Sequence, residues 1–134
     1  MVVNWVVAKI KWIMLVSGAL TCTMVYAAVA PEAALRSTFG DALQGPLAEV
    51  VVRNWGVLIA LVGGMLIYGA FQPHVRRLVL IVGGLSKLAF IGLVLAQGSR
   101  YLGQQAGVSI AIDLVMVTLF TLYLVAVRHR GLAA

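Results

Sequence analysis

Charged residues are scarce in this sequence. Only 10% of its 134 residues are Asp, Glu, Lys or Arg, whereas 63% are hydrophobic. Soluble domains carry about 25% charged residues, so this composition excludes a soluble globular domain. It also excludes a disordered chain, which needs low hydrophobicity and high charge. The single cysteine, Cys22, excludes a disulfide scaffold. The class that remains is an integral membrane protein.

The common catalytic and metal-binding motifs are also missing from the sequence. It contains no CxxC pair, no HExxH motif, no glycine-rich phosphate loop and no serine nucleophile elbow. The two histidines, His74 and His129, lie beside arginines and outside the long apolar runs. We therefore expect no metal site, no catalytic site and no cofactor held by this chain.

Basic residues outnumber acidic ones by ten to four, which gives a net charge of +6. They occur singly or in pairs between apolar runs, whereas a nucleic-acid-binding module gathers them on one polar face. Such a distribution is typical of the topology signals of membrane proteins. We therefore predict the lipid bilayer as a partner and exclude nucleic acid.

Four apolar runs are long enough to cross a bilayer as helices, which takes about 20 residues each. They cover residues 13–30, 52–71, 78–97 and 108–127. Most connections between them are short, so consecutive helices run antiparallel. The sequence predicts a single all-α domain over residues 1–134, an integral membrane bundle of four antiparallel transmembrane helices with up-down topology.

The start of the chain is open to three interpretations. Residues 1–12 fit either an interfacial helix or the long beginning of a tilted first span. A cleaved signal peptide is the third, because the first apolar run ends in a sequence that resembles a cleavage site. We expect the run to be retained, since it is longer than a signal peptide's apolar region and Pro31 follows it directly.

The one long connection covers residues 31–49. Pro31 followed by Glu32 is typical of a helix start, whereas Gly40-Asp41 and Gly45-Pro46 interrupt a helix. These signals predict a short interfacial helix over the outer mouth of the bundle, which serves either as a lid or as a simple connector.

The distribution of basic residues predicts the orientation, because Lys and Arg are enriched in cytoplasmic segments. Six of them border the spans on the side of the termini, and three lie on the opposite side. The six are Lys9, Lys11, Arg76, Arg77, Arg128 and Arg130, and the three are Arg36, Arg53 and Arg100. The excess predicts that both termini are cytoplasmic and that residues 31–49 face outward.

Small residues recur at helical spacing within two of the spans. The second contains Gly56, Ala60 and Gly64, and the third contains Gly83 and Gly84. Small side chains allow two membrane helices to approach closely. The pattern predicts helix packing at these positions, either within the chain or between two copies of it.

Two charges fall inside the predicted spans. Lys87 lies near the centre of the third span, and Asp113 lies about one turn into the fourth. A charge at the bilayer centre costs about 2.5–3.5 kcal/mol on insertion scales, so both side chains should face the interior and find partners. The lysine side chain is long enough to reach the level of Asp113. We therefore predict an ion pair between them.

Other polar residues are expected at the same depth as this ion pair. Arg53 and Asn54 open the second span, Ser86 precedes Lys87, and Tyr101 follows the third span. Together they predict a polar cavity that opens outward. Two roles are open for the ion pair. It belongs to a ligand or ion site, in which Lys87 holds an anionic or carbonyl group, or it is purely structural and sets the register of the helices.

The layout resembles that of the small DoxX-like proteins of bacterial inner membranes. Two segments carry the likeness: Arg53-Asn54-Trp55-Gly56 at the head of a glycine-rich second span, and Gln72-Pro73-His74-Val75-Arg76-Arg77 in the tight turn that follows it. The resemblance implies a four-helix protein of the bacterial inner membrane, and some members of that group are accessory subunits of membrane oxidoreductases. It assigns no catalytic residue to this chain.

Three functions are consistent with these features. The first is a non-catalytic accessory or scaffold subunit of a larger membrane complex, or a homo-oligomer. The second is a binder or transporter of a small molecule or ion, built around Lys87 and Asp113. The third is a quinone-linked redox subunit, whose redox centre has to come from a partner because the spans contain no cofactor ligands.

Overall fold

The computed structural model describes residues 2–129, and this part of the chain contains helices and no strand. The helices are α1 (Val2–Cys22), α2 (Tyr26–Val29), α3 (Pro31–Phe39), α4 (Pro46–Phe71), α5 (Pro73–Leu95) and α6 (Gln105–His129), and a 3-10 turn (Thr23–Val25) joins α1 to α2. Four helical stretches, with α1 and α2 counted as one, are long and apolar enough to cross a membrane. The prediction of an all-helical bundle with four membrane-spanning helices is confirmed.

The helices are longer than the apolar runs predicted. α1 begins at Val2, so residues 2–12 are the start of the first span and not a separate interfacial helix. α4 begins at Pro46 rather than at residue 52, and α5 at Pro73 rather than at residue 78. Hydropathy detects only the apolar part of a helix. Proline begins both helices. It lacks a backbone N–H, but an N–H in the first turn has no acceptor within the helix, so nothing is lost there.

The four long helices form a ring in which each packs on two others. α1 contacts α4 and α6, and α5 contacts the same two, whereas α1 and α5 lie diagonally across the described bundle. We call the end that contains the start of α1, the α4–α5 turn and the end of α6 the terminus end. The opposite end, which contains α3 and residues 96–104, is the loop end.

The terminus end is filled by a single hydrophobic cluster to which all four long helices contribute. Its buried members are Val6, Ile10, Ile13, Met14, Leu66, Ala70, Val79, Leu80, Phe120, Tyr123 and Val127. Met14, Leu66, Leu80 and Phe120 are almost completely inaccessible. This half of the bundle is therefore dry and closely packed.

Small residues bring α1 and α2 into close contact with α4. A Cβ atom added at Gly63 would lie 2.7 Å from the carbonyl oxygen of Gly18 and from the amide nitrogen of Cys22. One at Gly56 would lie 2.8 Å from the Cβ atom of Ala27. Cys22 Sγ also donates to the carbonyl oxygen of Ala60 at 3.6 Å. Gly56, Ala60 and Gly63 are therefore the packing residues of α4.

Of the two kinds of packing that the sequence allows at Gly64, packing within the chain is not observed. Nothing lies within 4 Å of a Cβ atom built there, because Gly64 faces away from the bundle. A helix turns about 100° per residue, so Gly63 is about 20° away from Gly56 around the axis and Gly64 about 80°. A repeat of four residues drifts off the contact face, and the seven-residue step from Gly56 to Gly63 stays on it.

The two neighbouring glycines of α5 differ in the same way. A Cβ atom at Gly83 would lie 3.2 Å from the Leu66 side chain, so Gly83 packs against α4. Gly84 is not an intrachain packing residue, since the space around it is empty within 4 Å. Adjacent residues point about 100° apart on a helix, and only one of the two can face the neighbour.

Basic side chains stabilise the terminus end. Arg76 donates to the carbonyl oxygens of Gly69 and Ala70, at 3.1 and 2.8 Å, and so satisfies two groups that the end of α4 leaves without helical partners. The ammonium group of Lys11 lies 4.7 Å from the centre of the Phe71 ring, a cation–π distance. Arg130, one of the predicted topology signals, lies outside the described residues.

Candidate functional site

The loop end is organised differently from the terminus end, because its buried hydrophobic residues form two separate clusters. One joins α2, α3 and α4 through Ala27, Ala34, Leu35 and Val52. The other joins α5 and α6 through Ile91, Val94, Ala106 and Ile110. The helices therefore diverge toward this end as two pairs, α1 and α2 with α4, and α5 with α6. A cavity of about 420 Å³ lies between the pairs.

Lys87 lies on the wall of this cavity, in the middle of α5, with 8% of its surface exposed. Its Nζ atom donates to Asp113 Oδ1 of α6 at 2.8 Å and to Thr21 Oγ1 of α1 at 3.3 Å. Thr21 Oγ1 in turn donates to the carbonyl oxygen of Ser17 at 2.7 Å. The structure therefore brings Lys87 and Asp113 together, and the lysine also bridges the diagonal between α5 and α1.

Lys87 is buried and Asp113 is partly buried, with 9% of the Lys87 side chain and 17% of the Asp113 side chain exposed. Removing two charges from water is costly, and their mutual attraction has to offset that cost. The two formal charges cancel, so the wall of the cavity carries no net charge at this point. Loss of either partner would leave one uncompensated charge.

One buried polar atom near the pair has no hydrogen-bond partner. Ser17 is 1% exposed and lies on the cavity wall, and its Oγ atom neither donates to nor accepts from any described group. An unsatisfied buried hydroxyl costs about 1–3 kcal/mol. Ser17 and Thr21 were not predicted as site residues. The signal that identifies them is two hydroxyl residues one turn apart at the depth of Lys87.

Aromatic side chains close the cavity at the loop end. The ring of Phe39, the last residue of α3, lies 5.2 Å from that of Tyr101 and 6.1 Å from that of Trp55. Phe90 lies 6.3 Å from Phe39. We call these four residues the aromatic roof. Two of them, Trp55 and Phe90, also line the cavity, so the predicted short helix places an apolar cover over the bundle.

The sides of the cavity are less well covered than its ends. Leu20, Leu93 and Val108 lie on its rim and are 46, 72 and 60% exposed. All three are apolar and belong to helices that are candidates to span a membrane. Since the hydrophobic cluster and the aromatic roof close the two ends, the rim faces the sides of the bundle.

The predicted polar residues do not all meet at this cavity. Ser86 lines it with Lys87 and Asp113. Arg53 and Asn54 do not line it, because α4 begins at Pro46 and both residues lie on its exposed side. Arg53 Nη1 instead donates to the carbonyl oxygen of Ala28 at 2.6 Å and joins α4 to α2.

Tyr101 is also absent from the cavity lining and belongs to the aromatic roof. It follows α5 in the loop-end connection, above the level of Lys87. Within the described residues, no three His, Cys, Asp or Glu side chains lie close enough together to hold a metal ion.

A scan of protein-family models, a search of curated proteins and a search of solved structures each found no match to this chain. The likeness to DoxX-like proteins therefore remains a resemblance of layout. What can be said of function comes from the geometry of the cavity.

Proposed function

We propose that the protein binds a small amphipathic molecule in the cavity beside Lys87 and Asp113. The observation that carries this proposal is the cavity of about 420 Å³, with a buried ion pair on its wall. The side chains of the cluster at the terminus end pack closely on one another, whereas the ion pair borders open space. This favours the binder over the accessory subunit that the sequence alone ranks first.

The lining supports the same proposal. Small-molecule sites are mostly apolar cavities of about 300–1,000 Å³ with a few well-placed polar groups. Apolar side chains from all four long helices line this cavity, and hydroxyl groups and the ion pair supply the polar groups. Ionisable residues within a membrane are functional candidates because keeping them there is costly.

A cavity-filling substitution tests the proposal. Ser109 lines the cavity on α6, one turn before Asp113, whereas Thr118 on the same helix is exposed and does not line it. We expect Ser109→Phe to lose a small molecule that co-purifies with the wild-type protein in mild detergent, and Thr118→Phe to retain it. Mass spectrometry of extracts from all three proteins measures this. An identical set of molecules in all three proteins would contradict the proposal.

A second proposal is that the chain is a non-catalytic accessory subunit of a larger membrane complex, or a homo-oligomer. Gly64 and Gly84 support it, because each leaves open space on the outer surface of the bundle where another helix can approach. A quinone-linked redox role belongs to this proposal, since a partner has to supply the redox centre. The proposal expects Gly64→Leu to disrupt an assembly seen in mild detergent. Purification of the wild type as a lone monomer counts against it.

We further propose that the protein resides in a bacterial inner membrane with both termini in the cytoplasm. The excess of basic residues at the terminus end supports this orientation. In a Cys22→Ser background, a membrane-impermeant thiol reagent applied to whole cells should label Ser99→Cys at the loop end. It should not label His74→Cys at the terminus end. The opposite labelling pattern would invert the orientation.

A further inference from the structure

The charges around the cavity restrict the molecule that it can hold. Lys87 and Asp113 are the only charged side chains among the described residues that line it. They are 2.8 Å apart, so one positive and one negative charge compensate each other. An ionised ligand would add a charge with no partner in a buried site, which is strongly unfavourable.

The ion pair has no net charge, but polar groups beside it are still able to form hydrogen bonds with a ligand. A lysine ammonium group has three N–H donors. Two are directed at Asp113 and Thr21. The hydroxyl groups of Ser86 and Ser109 line the same cavity. A neutral oxygen-bearing group, such as a hydroxyl or a carbonyl, can therefore be hydrogen-bonded here without changing the charge balance.

Most of the rest of the cavity is apolar and suits a hydrocarbon chain, and a few polar side chains, Thr38 and Gln105 among them, also line it. Its lining includes Leu20, Leu93 and Val108, which are also exposed on the sides of the bundle. An apolar tail lying between the helix pairs would therefore be in contact with the hydrocarbon region of the bilayer. A water-soluble ligand would instead have to pass the aromatic roof or the hydrophobic cluster.

We infer that the ligand of this cavity is an uncharged amphiphile from the bilayer, with a hydroxyl or carbonyl head beside Lys87 and a hydrocarbon tail between the helix pairs. This inference rests on the proposed binding function and specifies its ligand class. It narrows the prediction from sequence, which allowed an anionic group at Lys87.

Trp55 is a suitable reporter because it lines the cavity, whereas the other two tryptophans, Trp5 and Trp12, are exposed on α1 near the terminus end. In a Trp5→Phe/Trp12→Phe background, bromine on a bound chain quenches Trp55 fluorescence on contact. The probes are dodecanol, dodecanoate and dodecylamine, each brominated at the end of the chain. A Trp55→Phe protein that keeps Trp5 and Trp12 reports the quenching due to partition into the micelle alone.

The titration is made at about pH 9, well above the ordinary pKa of a carboxyl group and below that of an amine. We expect saturable quenching of Trp55 by the alcohol, with an affinity at least about tenfold higher than that of either charged probe. Equal or tighter binding of dodecanoate or dodecylamine overturns the inference and leaves the binding function standing. Absence of saturable quenching by all three probes overturns both.

Removing one charge of the pair should change the selectivity. Asp113→Asn leaves Lys87 as a lone cation, so dodecanoate should become the preferred probe. If this variant does not fold, the double variant Lys87→Gln/Asp113→Asn supplies the test, because it has no charge at either position. The double variant should retain the preference for the alcohol, and tighter binding of dodecanoate to it would contradict the charge rule.

Discussion

The two ends of this bundle use the same four helices in opposite ways. At the terminus end, one hydrophobic cluster joins all of them, and the cavity of about 420 Å³ lies at the loop end. At the loop end, the buried hydrophobic clusters join the helices in pairs, and the ring contacts of Phe39 and a hydrogen bond from Lys87 to Thr21 cross between the pairs. Close packing therefore joins all four helices in one half, whereas ring contacts and a hydrogen bond link the two pairs in the other.

The comparison has an energetic basis in the membrane. Lipid tails are as apolar as leucine, so helix association there depends on close packing and interhelical hydrogen bonds. The terminus end uses close packing among all four helices, whereas the loop end uses close packing within each pair and an interhelical hydrogen bond between the pairs. Substitutions in the two halves should therefore lower the free energy of unfolding by different amounts and for different physical reasons.

Breaking the ion pair should have the largest effect. Lys87→Met leaves Asp113 buried without its partner, and loss of one member of a buried pair costs about 3–5 kcal/mol. We expect the same order of destabilisation from Asp113→Asn, measured as the free energy of unfolding in detergent. Lys87→Met/Asp113→Asn should recover most of the loss. A double variant as unstable as the two single variants combined would show that the two residues act independently.

Truncation of one large side chain in each half should cause the next largest loss of unfolding free energy, and the two losses should differ. Leu66 is completely buried in the cluster at the terminus end, whereas Ile59, on the same helix, lines the cavity. We expect Leu66→Ala to cost about 2 kcal/mol, near the lower limit for Leu→Ala, because packing is lost with little change in transfer free energy. Ile59→Ala should cost less than half of that. Equal losses of unfolding free energy would remove the distinction between the halves.

A matched pair of glycines tests the close contact of α1 with α4. Gly63→Ala places a methyl group against the backbone of Gly18 and Cys22, and such overpacking costs about 1–2 kcal/mol. Gly64→Ala enters open space and should be neutral or stabilising by up to about 1 kcal/mol, since alanine is the better helix former. Thermal unfolding of both variants in the same detergent measures the difference.

The aromatic roof should make the smallest contribution to stability. Phe39→Leu keeps most of the apolar volume but removes three ring contacts, each of which adds about 0.5–1.5 kcal/mol when well formed. We expect a loss near the lower value, together with greater quenching of Trp55 by aqueous acrylamide. Unchanged accessibility of Trp55 would show that Phe39 does not cover the cavity.

The sequence alone predicts the spans and the approach of Lys87 to Asp113, because hydropathy and depth along a helix are local properties. It does not predict the partnership of Lys87 with Thr21, which depends on α1 and α5 lying diagonally opposite in the ring. Depth along the helix also misplaced Arg53, because its side chain bonds to α2 and does not line the cavity. The direction in which a side chain points depends on helix phase and neighbours, which composition does not encode.

The arrangement of the helices as two pairs determines which contacts of Lys87 break when the pairs move apart. Lys87 and Asp113 belong to the same pair, whereas Thr21 belongs to the other. Lys87 lies 14 residues from the start of α5, about 21 Å along the axis at 1.5 Å per residue. If the pairs swing apart by about 5° around the terminus end as a hinge, Lys87 moves by about 2 Å. That movement breaks the 3.3 Å contact with Thr21 and leaves the ion pair intact. The hydrogen bond from Lys87 to Thr21 therefore resists this opening together with the ring contacts of Phe39, and the ion pair moves as a unit with α5 and α6.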